Sequence, residues 1–178
     1  YEISLGLVGS EMCIRDRSLC DIYSGSMVWQ GNVMYDYMLG VYDLLERLTQ
    51  AFPDMLWEGC SGGGGRFDMG MLYYTPQIWC SDNTDAVDRI RIQYGTSFAY
   101  PLSTMGAHVS AVPNHQTGRV TDMNTRGVVA MTGAFGYELD LGKLSEEDKT
   151  AVREQIKTYH EAAPVILKGD YYLSLIHI

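Results

Sequence analysis

Residues 32–51 place Met34, Tyr37, Met38, Val41, Leu44, Leu45 and Leu48 at spacings of mostly three and four, with Asp36, Asp43, Glu46 and Arg47 between them. That stripe predicts an amphipathic helix with one wet face. The pattern then shortens. Residues 54–58 form a brief apolar run ending in a glycine tract, and residues 74–79 form a second run before a polar segment. Both predict buried strands that open into loops. Thr84 or Asp85 is placed to cap a helix reaching about Tyr94. Residues 97–102 predict a third strand, residues 124–132 a short helix, and residues 136–141 a fourth strand. Ser145, with Glu146, Glu147 and Asp148 behind it, resembles a capping box and predicts a long helix ending near Pro164.

Strand, polar loop, helix and strand again is the order of parallel βα units, so the expected fold class is α/β. In such units chemistry gathers at the C-terminal ends of the strands. The two most unusual polar segments, residues 60–68 and 81–85, both fall at such ends. Four strands are too few to close an eight-stranded barrel. The segment is therefore either a small open α/β domain or a part of something larger.

Composition narrows the function classes. At 178 residues, 46% hydrophobic and 20% charged, the chain can bury one ordinary core. A net charge of −9 argues against nucleic acid, which calls for a basic stripe, and against an anionic membrane surface. No apolar run of eighteen residues predicts a transmembrane helix, and the N-terminus shows no signal-peptide pattern. Thirteen Tyr and three Trp suit a carbohydrate-stacking cleft and a plain core equally well. Cys13, Cys20, Cys60 and Cys80 form no CxxC pair and no zinc spacing. Free thiols are expected, and with them a cytoplasmic location; the even number of cysteines leaves disulfides as the alternative. His108 and His115 read as structural histidines rather than a metal pair.

Two segments carry candidate chemistry. Gly62-Gly63-Gly64-Gly65 after a strand lets backbone approach a ligand where a Cβ would intervene. The following Arg66-Phe67 breaks the Gly-Lys-Ser/Thr of a phosphate loop, and the dinucleotide fingerprint fits poorly. The tract is then either a plain turn or the wall of a small polar ligand such as a sugar, with Arg66 and Asp68 orienting each other or fixing hydroxyls. In Trp79-Cys80-Ser81-Asp82-Asn83-Thr84-Asp85, a carboxylate stands straight after a buried strand, where desolvation favours a general acid. Asp82 and Asp85 are both candidates for that role and for the helix cap. The loop at residues 100–115 is expected to shape the cleft in a structural role.

Taken together, Trp57-Glu58-Gly59-Cys60-Ser61-Gly62-Gly63-Gly64-Gly65-Arg66-Phe67-Asp68, Pro76-Gln77-Ile78-Trp79-Cys80-Ser81-Asp82-Asn83-Thr84-Asp85, Met105-Gly106-Ala107-His108-Val109-Ser110 and Pro113-Asn114-His115-Gln116 resemble the α-galactosidases (melibiases) of glycoside hydrolase family thirty-six. Tyr42-Asp43-Leu44-Leu45 fits the same pattern. The resemblance covers about residues 18–172. It implies the C-terminal half of a (β/α)8 TIM barrel whose parent hydrolyses terminal α-galactosyl residues of melibiose- and raffinose-type oligosaccharides with retention, using two Asp. It assigns Asp82 as the acid/base and Cys60, Gly62, Gly63, Arg66 and Asp68 to the substrate wall. No metal or organic cofactor is implied, and the parent is expected to be a homo-oligomer.

The resemblance also marks a departure. The family's nucleophile lies in a Lys-Trp-Asp-x-Asn-Arg segment, and its Asp falls at position 14, where this chain has Ile14. Asp16 is two residues further on, which displaces it by about 6–7 Å along a strand. Residues 8–17 and 173–178 resemble translated sequencing-adapter read-through. Residues 1–17 and 173–178 are accordingly expected to be non-native, and residues 18–172 to be barrel. A half barrel leaves strand edges and core faces unpaired, so the isolated chain is expected to be aggregation-prone and, without its nucleophile, inactive. The competing readings are a non-catalytic galactoside-binding module and an α-N-acetylgalactosaminidase. The tight wall at Cys60 disfavours the second.

Overall fold

The computed structural model describes residues 32–172 and divides into two units, Tyr1–Ile78 and Trp79–Ile178. In the first, the predicted amphipathic helix is α1, Val33–Ala51. It buries Val41 and Leu45 against Met71 and Ile78, with Tyr37, Tyr42, Phe67, Leu72 and Tyr74 packed around them. Strand β1, Glu58–Gly59, pairs in parallel with β2, Gln77–Trp79, at Glu58↔Gln77 and Gly59↔Ile78. The strand expected at 54–58 is shorter and later than its apolar run, because residues 53 and 54 form a turn. The strand expected at 74–79 begins only at Gln77. Tyr74 instead closes a helix that the pattern did not predict, α2, Met69–Tyr74, capped by Asp68 at the Met71 amide, 2.9 Å away.

In the second unit α3 spans Ala86–Ser97, β3 Met105–Ser110, α4 Met123–Ala130, β4 Ala134–Glu138 and α5 Glu146–Lys168. β3 and β4 run parallel, in register from Gly106↔Ala134 to Ser110↔Glu138. The third strand is not at 97–102. Ser97 ends α3, Pro101 starts a tight turn over Leu102–Thr104, and the strand follows it. Met105, Ala107 and Val109 are fully buried, and Val109 packs with Met123, Ala130 and Val152 on the helix side. Strand alternation puts Gly106, His108 and Ser110 on the opposite face. Helix α5 starts at the Ser145 cap but runs through Pro164, which removes one ladder donor without ending the helix. No described helix is long and apolar enough to cross a membrane.

Candidate active site

The glycine tract of the first unit has a backbone reason. Ser61, Gly62, Gly63 and Gly64 have φ of 52°, 70°, 83° and 84°, which makes Ser61–Gly64 one left-handed helical turn, closed by the Gly64 amide on the Cys60 carbonyl at 2.8 Å. A left-handed turn costs an L-residue about 1–2 kcal/mol per position, so glycine is what permits it. Gly65 is back at negative φ, but a Cβ there would lie 2.6 Å from the Ser61 carbonyl oxygen. The chain after the turn therefore folds back directly onto Ser61. Arg66, 5% exposed, lies over the Tyr37 ring at 5.0 Å, and Asp68 is the α2 cap. Cys60 is disulfide-bonded, which corrects the expectation of four free thiols. Spacing along the chain cannot show which sulfurs meet in space. Cys80 does carry a free thiol, pushed up by burial and partly offset by Arg89.

The second unit opens at Trp79, the last residue of β2, and residues 80–85 form a loop held on all sides. Asp85 is the helix cap: its carboxylate accepts from the Val87 and Asp88 amides at 3.0 and 3.1 Å. It also accepts from the Thr117 hydroxyl at 2.8 Å and forms an ion pair with Arg119. Burial to 1% exposure pushes this carboxyl up, but the Thr117 hydroxyl, the Asp88 amide and the Arg119 guanidinium outweigh it and hold the group below the usual carboxylate range. A carboxyl kept ionised in this way caps and pairs; it is not suited to donate a proton at neutral pH. Of the two candidates it is Asp85, then, that caps the helix. Asp82, half-buried, occupies the bend between β2 and α3.

Both neighbours of Asp82 are anchored. The Ser81 carbonyl accepts from Arg89 at 3.0 Å, and the Asn83 amide donates to the Ser81 hydroxyl at 3.1 Å. The Asn83 side chain donates to Asp88 at 2.9 Å and accepts from the Asp85 amide at 3.0 Å. Asn114 reaches in from the loop after β3 and donates to Thr84 at 3.0 Å, while its own oxygen accepts from the Gln116 and Thr117 amides. Thus the loop expected only to shape a cleft is bonded to the Asp82 loop at Thr84 and Asp85.

Behind the loop, Trp79 meets two cation-capable side chains. The Arg89 guanidinium lies 4.5 Å from one ring centroid and the His108 ring 4.7 Å away. His108 fits beside Gly136 on β4, where a Cβ would approach its ring to 2.8 Å. Burial, and then Arg89, lower the His108 pKa, so the imidazole is neutral at pH 7. Arg89, Thr117 and Arg119 are not singled out by the sequence, and Asn114 enters there only within the Pro113-Asn114-His115-Gln116 segment. The signal for Arg89 was present: Ala86, Arg89 and Gln93 share the buried face of α3. Among the described residues no group of three His, Cys, Asp or Glu side chains could hold a metal ion. The predicted wall residues Cys60, Gly62, Gly63, Arg66 and Asp68 belong to the first unit and Asp82 to the second. Position 14 and both terminal segments expected to be non-native lie outside the described residues.

Parallel βα units with carboxylates just after a strand place the described residues in the α/β class, with candidate chemistry at a strand end. The Melibiase family model matches residues 14–169. The bifunctional α-galactosidase/sucrose kinase AgaSK of Mediterraneibacter gnavus is 65% identical over 157 residues, 88% of this chain and 16% of that protein. Alpha-galactosidase 1 of Pediococcus pentosaceus is 58% identical over 159 residues, 88% of this chain and 22% of its own length. Among solved structures, the galactosidase domain of AgaSK superposes with a TM-score of 0.77 at 68% identity, over 80% of this chain and 20% of that one. A variant of the α-galactosidase AgaA of Geobacillus stearothermophilus in complex with raffinose gives 0.82 at 53% identity, over 86% and 22%. The chain belongs to the melibiase family, and its βα units are part of a (β/α)8 TIM barrel. It spans 16% to 22% of the length of the curated relatives named here.

Proposed function

We propose that this chain is the acid/base-bearing segment of a retaining α-galactosidase that removes terminal α-galactosyl residues from raffinose-type oligosaccharides. The observation that carries the reading is the place of Asp82, in the bend straight after β2 with both chain neighbours anchored by hydrogen bonds, while the cap of α3 is supplied by Asp85. Relatives that are over half identical are α-galactosidases, and AgaA variants have been crystallised with raffinose and with stachyose.

In the proposed reaction Asp82 protonates the glycosidic oxygen as its bond to the anomeric carbon breaks, and a second carboxylate about 5–5.5 Å away forms the glycosyl-enzyme. Asp82 then takes a proton from water as water displaces that carboxylate. The left-handed turn at Ser61–Gly64, with Arg66 and Asp68 behind it, forms the sugar wall. Residues 18–172 are the native barrel segment in this reading. Position 14 lacks the nucleophile, so the chain alone does not turn over substrate. Thiol status does not decide its location, since Cys80 is free and Cys60 is not.

The test replaces the matching segment of the AgaSK galactosidase domain with residues 18–172. Asp82→Asn in that active graft is expected to lower turnover of raffinose by about 10²–10⁴-fold, the range of general acid–base catalysis. An active graft indifferent to Asp82→Asn sinks the assignment. Galactose release by the ungrafted 178-residue chain, abolished by Asp82→Asn, would show that the chain needs no further nucleophile.

A further inference from the structure

Arg89 presents a physical problem. It is 2% exposed, and among the described residues no carboxylate pairs with it. Burial pulls its pKa down from the usual guanidinium range. The Cys80 thiol and Glu138 offset that burial only in part, and a charge so deeply buried without an ion-pair partner is costly; an apolar side chain of similar size would serve stability better. Its hydrogen bonds show what it does instead. One terminal nitrogen donates to the Ser81 carbonyl at 3.0 Å, and the other to the Gly106 carbonyl at 2.5 Å. Nε donates to Gln93 at 2.9 Å, and Gln93 is held in turn by the Val129 carbonyl and the Thr132 hydroxyl at 2.9 and 2.6 Å. The face of the guanidinium covers Trp79.

The two carbonyls belong to different strand ends, one in the residue before Asp82 and one on β3. Only a rigid fork bridges them from a single helix position; an ammonium offers no such pair of parallel donors. Four residues along the chain from Ser81, Asp85 fixes the start of α3, and Asp88 holds Asn83 on the other side of Asp82. A displacement of a catalytic group by about 1 Å can cost about 10²-fold in rate. We infer that Arg89 is a positioning residue for Asp82, holding the acid/base at the reacting oxygen without touching substrate; this rests on the acid/base reading of Asp82.

A mispositioned acid has a signature that general loosening lacks. A poor leaving group needs the proton, while an activated aryl leaving group departs without it. In the AgaSK graft, kcat and KM are measured on raffinose and on 2,4-dinitrophenyl α-galactoside, with and without azide, for Arg89→Lys, Arg89→Met and Asp82→Asn. Arg89→Lys and Arg89→Met are expected to lower kcat on raffinose by about tenfold or more. Formation of the glycosyl-enzyme from the dinitrophenyl substrate should fall less than about threefold, with azide restoring turnover where the base is displaced. A proportional fall on both substrates, or no fall on either, overturns the inference. If Arg89→Met loses its cooperative thermal transition, Arg89→Lys decides alone. Failure of the acid/base reading shows separately, as an Asp82→Asn graft that keeps its raffinose turnover.

Discussion

The Asn114 side-chain amide donates to the Thr84 hydroxyl at 3.0 Å, joining the loop after β3 to the loop after β2. Five residues further along the same loop, Arg119 pairs with Asp85. The carboxylate loop is thus fixed by its own helix and by the next strand end. The loop's geometry is set by the fold itself, the preorganisation that the proposed acid/base role calls for.

Asp85 and Arg119 are unequal partners. Asp85 is 1% exposed, whereas the Arg119 side chain is 41% exposed and can turn to water. Asp85→Ala removes a helix cap and strands the Thr117 hydroxyl, and is expected to cost about 3 kcal/mol. Arg119→Ala leaves the carboxylate with one hydroxyl and two amides and should cost about 1 kcal/mol. The folded carboxyl lies below its unfolded value of about 3.9. Its stabilisation is therefore present above that pH and lost as pH falls through the folded value. Urea midpoints of the graft from pH 7 to pH 3 check this: the gap between the parent and Asp85→Asn should close below about pH 4. A gap constant over that range would refute the assignment.

Glycines separate by geometry. Gly63→Ala puts a Cβ at φ 83° and should cost about 1–2 kcal/mol. Gly40, exposed in the middle of α1, has nothing within 4 Å of an added Cβ. Gly40→Ala should stabilise by about 0.5–1 kcal/mol. The two thermal shifts, read in the same graft, are expected to have opposite signs.

What the sequence revealed depended on side-chain contrast. The α1 stripe, the Ser145 cap and the alternation of βα units could be read because apolar period and capping chemistry are local. The third strand lies elsewhere than expected because Phe98, Tyr100 and Leu102 imitate a strand, whereas the true β3, Met105–Ser110, has Val109 as its one β-branched residue and otherwise Met, Gly, Ala, His and Ser, which carry little β signal. Helix α2 was missed because its six residues are mostly apolar and show no period. Whether Asp82 or Asp85 caps α3 could not be decided locally. Thr117 and Arg119, more than thirty residues away, commit Asp85.

Tyr137 tests the packing behind β4. Its hydroxyl meets the Gln155 oxygen at 2.8 Å, and Gln155 donates to the Met123 carbonyl at 2.9 Å, tying β4 and α5 to α4. Burial pushes the Tyr137 hydroxyl up to about 12. The unfolded hydroxyl titrates near 10, so the associated stability is intact below about pH 10 and is lost as pH rises toward the folded value. Tyr137→Phe removes the titrating group together with one hydrogen bond, which costs about 1 kcal/mol at pH 7. It should also flatten the alkaline loss of stability between about pH 10 and pH 12. Gly127→Ala attacks the same network by another route, since its Cβ would come within 2.4 Å of the Gln155 amide. If Gln155 is the shared element, the cost of Gly127→Ala combined with Gln155→Ala falls below the sum of the single costs. Strict additivity in that double-mutant cycle would show that the two sites do not act through Gln155.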